Sequence, residues 1–104
     1  MEIDTLKIKQ KIPEYVYHVA EILHENNYKA YLVGGAVRDL LIDKKPKDYD
    51  IATDALPLQM EKIFPRCVTT NARFGTILVI MEDNNMERFD VEVTTFRKEE
   101  NYYS

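Results

Sequence analysis

The fold is decided by residues 31–54, which have the sequence YLVGGAVRDLLIDKKPKDYDIATD. The apolar, partly β-branched run at residues 30–34 predicts a buried strand. Gly34 and Gly35 then let the backbone turn sharply and approach a ligand closely. Residues 36–42 are predicted to form a short helix, whose first free N–H groups favour an anion above the glycines.

Two carboxylates follow in a second predicted strand at residues 48–53. Asp48 and Asp50 alternate with Tyr49 and Ile51, so an extended backbone would point both carboxylates to one face. They would repel each other there unless a cation lay between them. Magnesium takes oxygen ligands and binds substrate phosphates, so it fits this pair. A glycine turn followed by such a strand is the layout of metal-dependent nucleotidyl transfer, with Asp48 and Asp50 as metal ligands and catalytic residues.

Basic side chains surround this predicted site. Arg38 lies one turn into the short helix, where its planar guanidinium can meet phosphate oxygens. Lys44, Lys45 and Lys47 flank Pro46 in the connection before the acids. Asp39 could be a third functional acid, but a structural role beside Arg38 is the simpler interpretation.

Taken alone, a Gly-Gly pair or an Asp-x-Asp pair is weak evidence of function. Their order in LVGGAVRDLL (residues 32–41) and DYDIAT (residues 48–53) is much more specific. Together they resemble the signature of the class II tRNA nucleotidyltransferase (CCA-adding enzyme) and bacterial poly(A) polymerase family, within the DNA polymerase β-like superfamily. RFGT (residues 73–76) and EVTTFR (residues 92–97) are similar to later blocks of that family, so the resemblance covers most of the chain.

This resemblance implies a reaction and its ligands. An RNA 3′-hydroxyl would attack the α-phosphate of CTP or ATP and release pyrophosphate, with Mg²⁺ held by Asp48 and Asp50. Gly34, Gly35 and Arg38 would bind the nucleoside triphosphate. The partners implied are ATP, CTP and the 3′ end of tRNA or another RNA.

A third acid from a later strand is common in the DNA polymerase β-like superfamily, and two residues compete for that role here. Glu92 stands between Val91 and Val93, which is the usual setting, and is our predicted third catalytic residue. Asp90 lies one alternation earlier on the same strand face. A solvated or salt-bridged strand face would explain both acids equally well, so the choice stays open at this point.

The remaining pattern predicts an α+β domain with a small mixed sheet flanked by helices. Apolar spacing predicts a helix that starts at Pro13 and ends at Asn26-Asn27. Another helix is predicted after Asp54 as its N-cap, with Leu58, Ile63 and Phe64 on its apolar side. Further strands are predicted at residues 66–70, 76–81 and 88–96, the last two joined by a polar turn.

Composition limits the class of protein. A chain of 104 residues fits one domain, which we divide into an arm at residues 1–10 and a head domain at residues 11–104. The net charge of −4 argues against a broad surface for polyanions. A single cysteine, Cys67, excludes an internal disulfide, and no apolar run approaches the roughly 20 residues of a membrane helix. We therefore expect a cytoplasmic protein that does not enter a membrane.

Several functions remain open on the sequence alone. The family's later ribose- and base-recognition motifs are not found before Ser104, so the chain is expected to be the N-terminal catalytic portion of a larger enzyme, weakly active or inactive alone. A poly(A) polymerase fragment is the nearest alternative. A small stand-alone nucleotidyltransferase of the antitoxin type and an inactive nucleotide-binding remnant are the others.

Overall fold

The computed structural model describes residues 11–96. The predicted arm at residues 1–10, Arg97 and the following residues lie outside this part of the chain. The elements, in chain order, are α1 (Glu14–Glu25), β1 (Ala30–Val33), α2 (Gly35–Leu41), β2 (Asp50–Thr53), α3 (Pro57–Ile63), β3 (Cys67–Val68), a 3₁₀ turn (Ala72–Phe74), β4 (Thr76–Glu82) and β5 (Arg88–Thr95).

Helix α1 begins and ends where the sequence predicts. Pro13 precedes its first residue, and Val16, Val19 and Leu23 recur at helical spacing on its buried side. Beyond its last turn, Asn27 adopts a left-handed conformation with φ 68°. The Tyr28 N–H then donates to the Leu23 carbonyl at 2.9 Å, which closes the helix end.

The five strands form one mixed sheet in the order β1-β2-β5-β4-β3. Strand β2 runs antiparallel to β1 and parallel to β5, whereas β4 runs antiparallel to both β5 and β3. The predicted class, α+β with a small mixed sheet and flanking helices, is confirmed. The parallel pairing of β2 with β5 brings together two segments that are about forty residues apart in the chain, since Asp50 lies opposite Glu92.

One face of the sheet forms the core. Alternate residues of β2, β4 and β5 are buried there together with residues of α1 and α3; they include Ile51, Ile77, Val79, Val91, Val93, Val19, Leu23, Met60 and Phe64. Since side chains alternate along a strand, Asp50 and Glu92 lie on the opposite face. The core therefore fixes the strands while leaving the acids accessible.

The second strand is shorter than predicted. It begins at Asp50, and Asp48 lies in the connection that leads into it. The alternation nevertheless extends through this connection, because Tyr49 is buried whereas Asp48 is exposed. The Tyr49 carbonyl also accepts a hydrogen bond from the Glu92 N–H at 3.2 Å, so the pairing with β5 continues past the end of β2.

The predicted start of α3 is wrong. The helix begins at Pro57 after Leu56, whose N–H donates to Gln59 Oε1 at 2.8 Å. The carboxylate of Asp54 accepts instead from the Lys29 N–H at 2.8 Å. Asp54 therefore ties two distant loops together, and Leu56 rather than Asp54 is the residue that precedes the helix.

The predicted apolar side of α3 is wrong at one position. Leu58 is 74% exposed, whereas Met60 and Phe64 are buried in the core. Met60 precedes Phe64 by one helical turn and so shares its side, whereas Leu58 lies two residues further back and points away from that side. Strand β3 is also shorter than predicted, with Cys67 and Val68 alone.

Among the helices of residues 11–96, none combines the length and the apolar character that a membrane span requires.

Candidate active site

The glycine turn and the second acid are in close contact. Gly34 has φ 78°, a conformation that favours glycine, and a Cβ on it would lie 2.9 Å from Asp50 Oδ2. Val33, the residue before it, pairs with Asp50 across β1 and β2. The absence of a side chain at Gly34 therefore leaves room for the carboxylate that the sheet places there.

A cleft of about 280 Å³ lies beside this contact. Asp48 and Asp50 both line it, as the predicted alternation requires, and Gly35 lines it from the start of α2. The structure thus brings the two predicted metal ligands and one predicted nucleotide-binding glycine to the same opening.

The pairing of β2 with β5 distinguishes between the two later acids. Glu92 is the partner of Asp50 in the parallel register, and the two carboxyl groups share a hydrogen bond. Asp90 pairs with Ile80 of β4 and accepts a hydrogen bond from Arg88 Nε at 3.1 Å. Of the two candidates, Glu92 is therefore the one that contacts the acid pair.

This arrangement raises the pKa of Glu92 above its usual range. The main cause is its side-chain hydrogen bond with Asp50, followed by partial burial and by the negative charges of Asp50 and Asp48. Ionising Glu92 would place a third negative charge among the acids, which disfavours its charged form and raises its pKa. A cation at the same place would remove that cost.

Arg38 lies at the rim rather than inside the cleft. It is exposed, and one of its guanidinium nitrogens lies 3.6 Å from the position of a Cβ on Gly35. That distance is ordinary van der Waals contact, and the φ of Gly35 lies outside the left-handed range. The two glycines of the turn are therefore not equivalent, because only Gly34 is in a conformation that demands glycine.

Residues that were not predicted as site residues also line the cleft. They are Ala36 and Asp39 of α2 and the three lysines of the following connection, Lys44, Lys45 and Lys47. The lysines were visible in the sequence as a basic run immediately before Asp48. The run did not predict which way their side chains point, because an irregular connection has no periodicity from which a face can be deduced.

A larger cavity, of about 780 Å³, lies on the other side of this connection. Tyr15, Tyr49 and Phe89 line it, and Lys45 and Lys47 border both spaces. Neither Asp48, Asp50 nor Glu92 reaches it. The smaller cleft is therefore the candidate active site, because Asp48 and Asp50 line it and do not line the larger cavity.

The donor set at the cleft fits a hard divalent cation, since carboxylate oxygens are the ligands such ions prefer. Residues 11–96 contain no ready-made group of three or more His, Cys, Asp or Glu side chains for a metal ion. A cation bound between Asp50 and Glu92 would take the place of the hydrogen bond between their carboxyl groups and would lower the pKa of Glu92.

The fold and the matched sequence together define the class of protein. Residues 30–104 match the family described as "Poly A polymerase head domain", and the chain belongs to that family. Nucleotidyltransferases of this family typically use a divalent metal.

The individual relatives are CCA-adding enzymes. The chain is 44% identical over 94 residues to that of Enterococcus faecalis, covering 88% of this chain and 22% of the relative. It is 48% identical over 84 residues to that of Bacillus subtilis, covering 81% and 20%. A crystal structure of the Bacillus stearothermophilus CCA-adding enzyme in complex with CTP matches with a TM-score of 0.72 and 38% identity, covering 80% of this chain and 20% of that chain. The chain thus spans about a fifth of the length of these relatives.

Proposed function

We propose that this chain is the catalytic head of a CCA-adding enzyme, which transfers nucleotides from CTP and ATP to the 3′ end of tRNA. The observation that carries the proposal is the cleft in which Asp48 and Asp50 lie beside the Gly34-Gly35 turn. This is the site that the matched family would need for a metal-bound nucleotide. The relatives' name and the CTP bound to one of them support the choice of substrates.

Each acid has a role in the proposed reaction. Asp48 and Asp50 hold the metal, and Glu92 completes the site from the neighbouring strand. When bound, Mg²⁺ supplies charge neutralisation at the α-phosphate and activates the attacking hydroxyl. A bond forms between the RNA 3′-oxygen and the α-phosphorus, the bond to the departing pyrophosphate breaks, and the hydroxyl proton is released to water.

The glycine turn and Arg38 position the nucleotide. Gly35 lines the cleft without a side chain, so a phosphate can come close to the backbone there. Arg38, exposed at the rim, is placed to meet phosphate oxygens that extend past Gly35. Both residues bind and orient, which favours in-line attack without any covalent chemistry by the protein.

CCA addition is favoured over poly(A) addition by the matching relatives of Enterococcus faecalis and Bacillus subtilis, which are both named CCA-adding enzymes. The family description itself covers poly(A) polymerases as well. We assign tRNA binding to parts of the enzyme beyond the described fold, because a chain with a net charge of −4 offers little general attraction for RNA. We also propose that the enzyme works in the cytoplasm, in keeping with the single cysteine.

A chimeric enzyme tests the proposal directly. The matching segment of the Bacillus subtilis CCA-adding enzyme is replaced by this chain, and the addition of labelled CTP and ATP to tRNA lacking its CCA end is followed on a gel. We expect CCA addition with Mg²⁺, and its loss when Asp48→Asn and Asp50→Asn are introduced into the chimera. A folded chimera that stays inactive would contradict the proposal, as would activity that survives both substitutions. Addition of A alone would favour the poly(A) polymerase alternative.

A further inference from the structure

Three lysines line the cleft in addition to its acids. Lys44, Lys45 and Lys47 line it together with Asp48 and Asp50. All three side chains are exposed, and no ion pair to an acid is found for any of them among residues 11–96. Exposed cations that are not engaged in an ion pair are available to an anionic ligand.

The backbone that carries the lysines is held in place. At the end of α2, Asp43 adopts a left-handed conformation with φ 59°, and the Lys44 N–H donates to the Asp39 carbonyl at 2.7 Å. The Asp43 carboxylate also forms an ion pair with Lys11. Further along, Pro46 is buried between its exposed neighbours. Both halves of the connection are therefore anchored, which reduces the entropy cost of presenting its side chains to a ligand.

The charges of the cleft are arranged in two groups. Asp48 and Asp50 form one group at the start of β2, and the lysines form the other along the connection. Asp39 lines the cleft as well and balances one of the lysines. Because acids and lysines are equal in number, a divalent cation on the acids makes the cleft net positive. Such a cleft matches a metal-bound polyphosphate, which is anionic along its whole length and binds the cation at one end.

We propose that Lys44, Lys45 and Lys47 bind the β- and γ-phosphates of the incoming nucleotide and the pyrophosphate that leaves. This deepens the proposed function and relies on it for the identity of the ligand. The lysines touch phosphate oxygens that the acids cannot approach, so they stabilise the charge that grows on the leaving group. They do not read the base, and CTP and ATP are held by them alike.

The test uses Mg²⁺-tripolyphosphate as the probe, since it carries the phosphates without a base or ribose. Calorimetry measures its binding to the unchanged chain and to the double variant Lys44→Gln, Lys47→Gln. The matched control is Lys29→Gln, Lys62→Gln, which lowers the net charge equally at two exposed lysines that do not line the cleft. We expect the cleft variant to lose about tenfold or more in affinity, and the control variant to stay within about twofold.

Other ligands separate this proposal from the alternatives. The cleft variant should bind CTP and ATP more weakly, as it does tripolyphosphate, whereas its affinity for CMP should be nearly unchanged. Equal losses in the cleft and control variants would show a general charge effect and overturn the proposal. A cleft variant that loses binding of single-stranded RNA but keeps tripolyphosphate would overturn it too, since the lysines would then be RNA contacts.

Failure of this proposal is distinguishable from failure of the proposed function. Mn²⁺ binding, followed by electron paramagnetic resonance, should depend on Asp48 and Asp50 and persist in the lysine variant. If Mn²⁺ binding meets both expectations, and tripolyphosphate binding is absent or independent of the lysines, only the lysine assignment is wrong. If polyphosphate binds through the lysines but Mn²⁺ binding does not depend on either acid, the proposed catalytic site is wrong and the lysine assignment stands.

Discussion

Asp50 and Glu92 lie opposite each other across the parallel strands β2 and β5, and their carboxyl groups share a hydrogen bond. Two ionised carboxylates so close together repel each other, and a proton or a cation between them removes that cost. The sheet that imposes this closeness is held by the core on its other face. Folding therefore maintains an unfavourable contact that a metal ion would relieve.

The first prediction concerns the pH dependence of stability. Because the folded-state pKa of Glu92 is raised, its ionised form opposes folding at any pH above the ordinary carboxyl range. Glu92→Gln should therefore raise the free energy of unfolding of the metal-free chain near pH 7.5. The gain should shrink as the pH falls through the raised pKa and disappear below the unfolded-state value, where Glu92 is protonated in both states.

Urea unfolding at pH 4 and pH 7.5 measures this difference. Asp90→Asn is the matched control, since it removes an acid from the same strand face that pairs with Arg88 instead of Asp50. A Glu92→Gln variant that matches the control at both pH values would show that the contact with Asp50 has no energetic consequence.

The second prediction distinguishes the two glycines. Gly34→Ala should destabilise the fold by about 1 kcal/mol or more, because φ is 78° and the new Cβ would lie 2.9 Å from Asp50 Oδ2. Gly35→Ala should cost little, since its Cβ has room and alanine favours a helix. Thermal unfolding of both variants decides the matter, and a reversed order of stability would refute this account of the turn.

The third prediction tests the corrected face of α3. Phe64 is 1% exposed, and Phe64→Ala should cost about 3–5 kcal/mol of unfolding free energy. Leu58 is 74% exposed, so Leu58→Ala should change stability by no more than about 0.5 kcal/mol. Denaturant midpoints for the two variants provide the comparison, and similar losses would mean that Leu58 packs in the core after all.

Local patterns in the sequence predicted some local structure well, but the prediction of a buried first strand was wrong, since Tyr31 is 53% exposed in β1 at the edge of the sheet. The bounds of α1, its Asn27 end and the alternation of Tyr49 with the acids all depend on neighbours within a few residues, and the structure confirms each. The role of Asp54 was missed because its carboxylate binds the backbone of Lys29, 25 residues earlier in the chain. Such a contact leaves no trace in the periodicity around Asp54.

The candidate site was predictable in part for the same reason. The order of the glycines and the two acids indicated which residues would meet at the turn. The choice between Glu92 and Asp90 required the register of β2 against β5, which alternation along one strand cannot give. The lysines of the cleft were visible as a basic run, but only the anchored path of the connection shows which space they line.

The most direct test of the central claim is the Mg²⁺-dependent binding of CTP to this chain, compared with its Asp48→Asn, Asp50→Asn variant. Calorimetry with and without Mg²⁺ separates the two contributions. We predict binding that requires the metal and that falls at least about tenfold in the variant, because both proposed metal ligands are weakened. Binding that is independent of Mg²⁺, or equal in the variant, would contradict the assignment of Asp48 and Asp50 as the metal site.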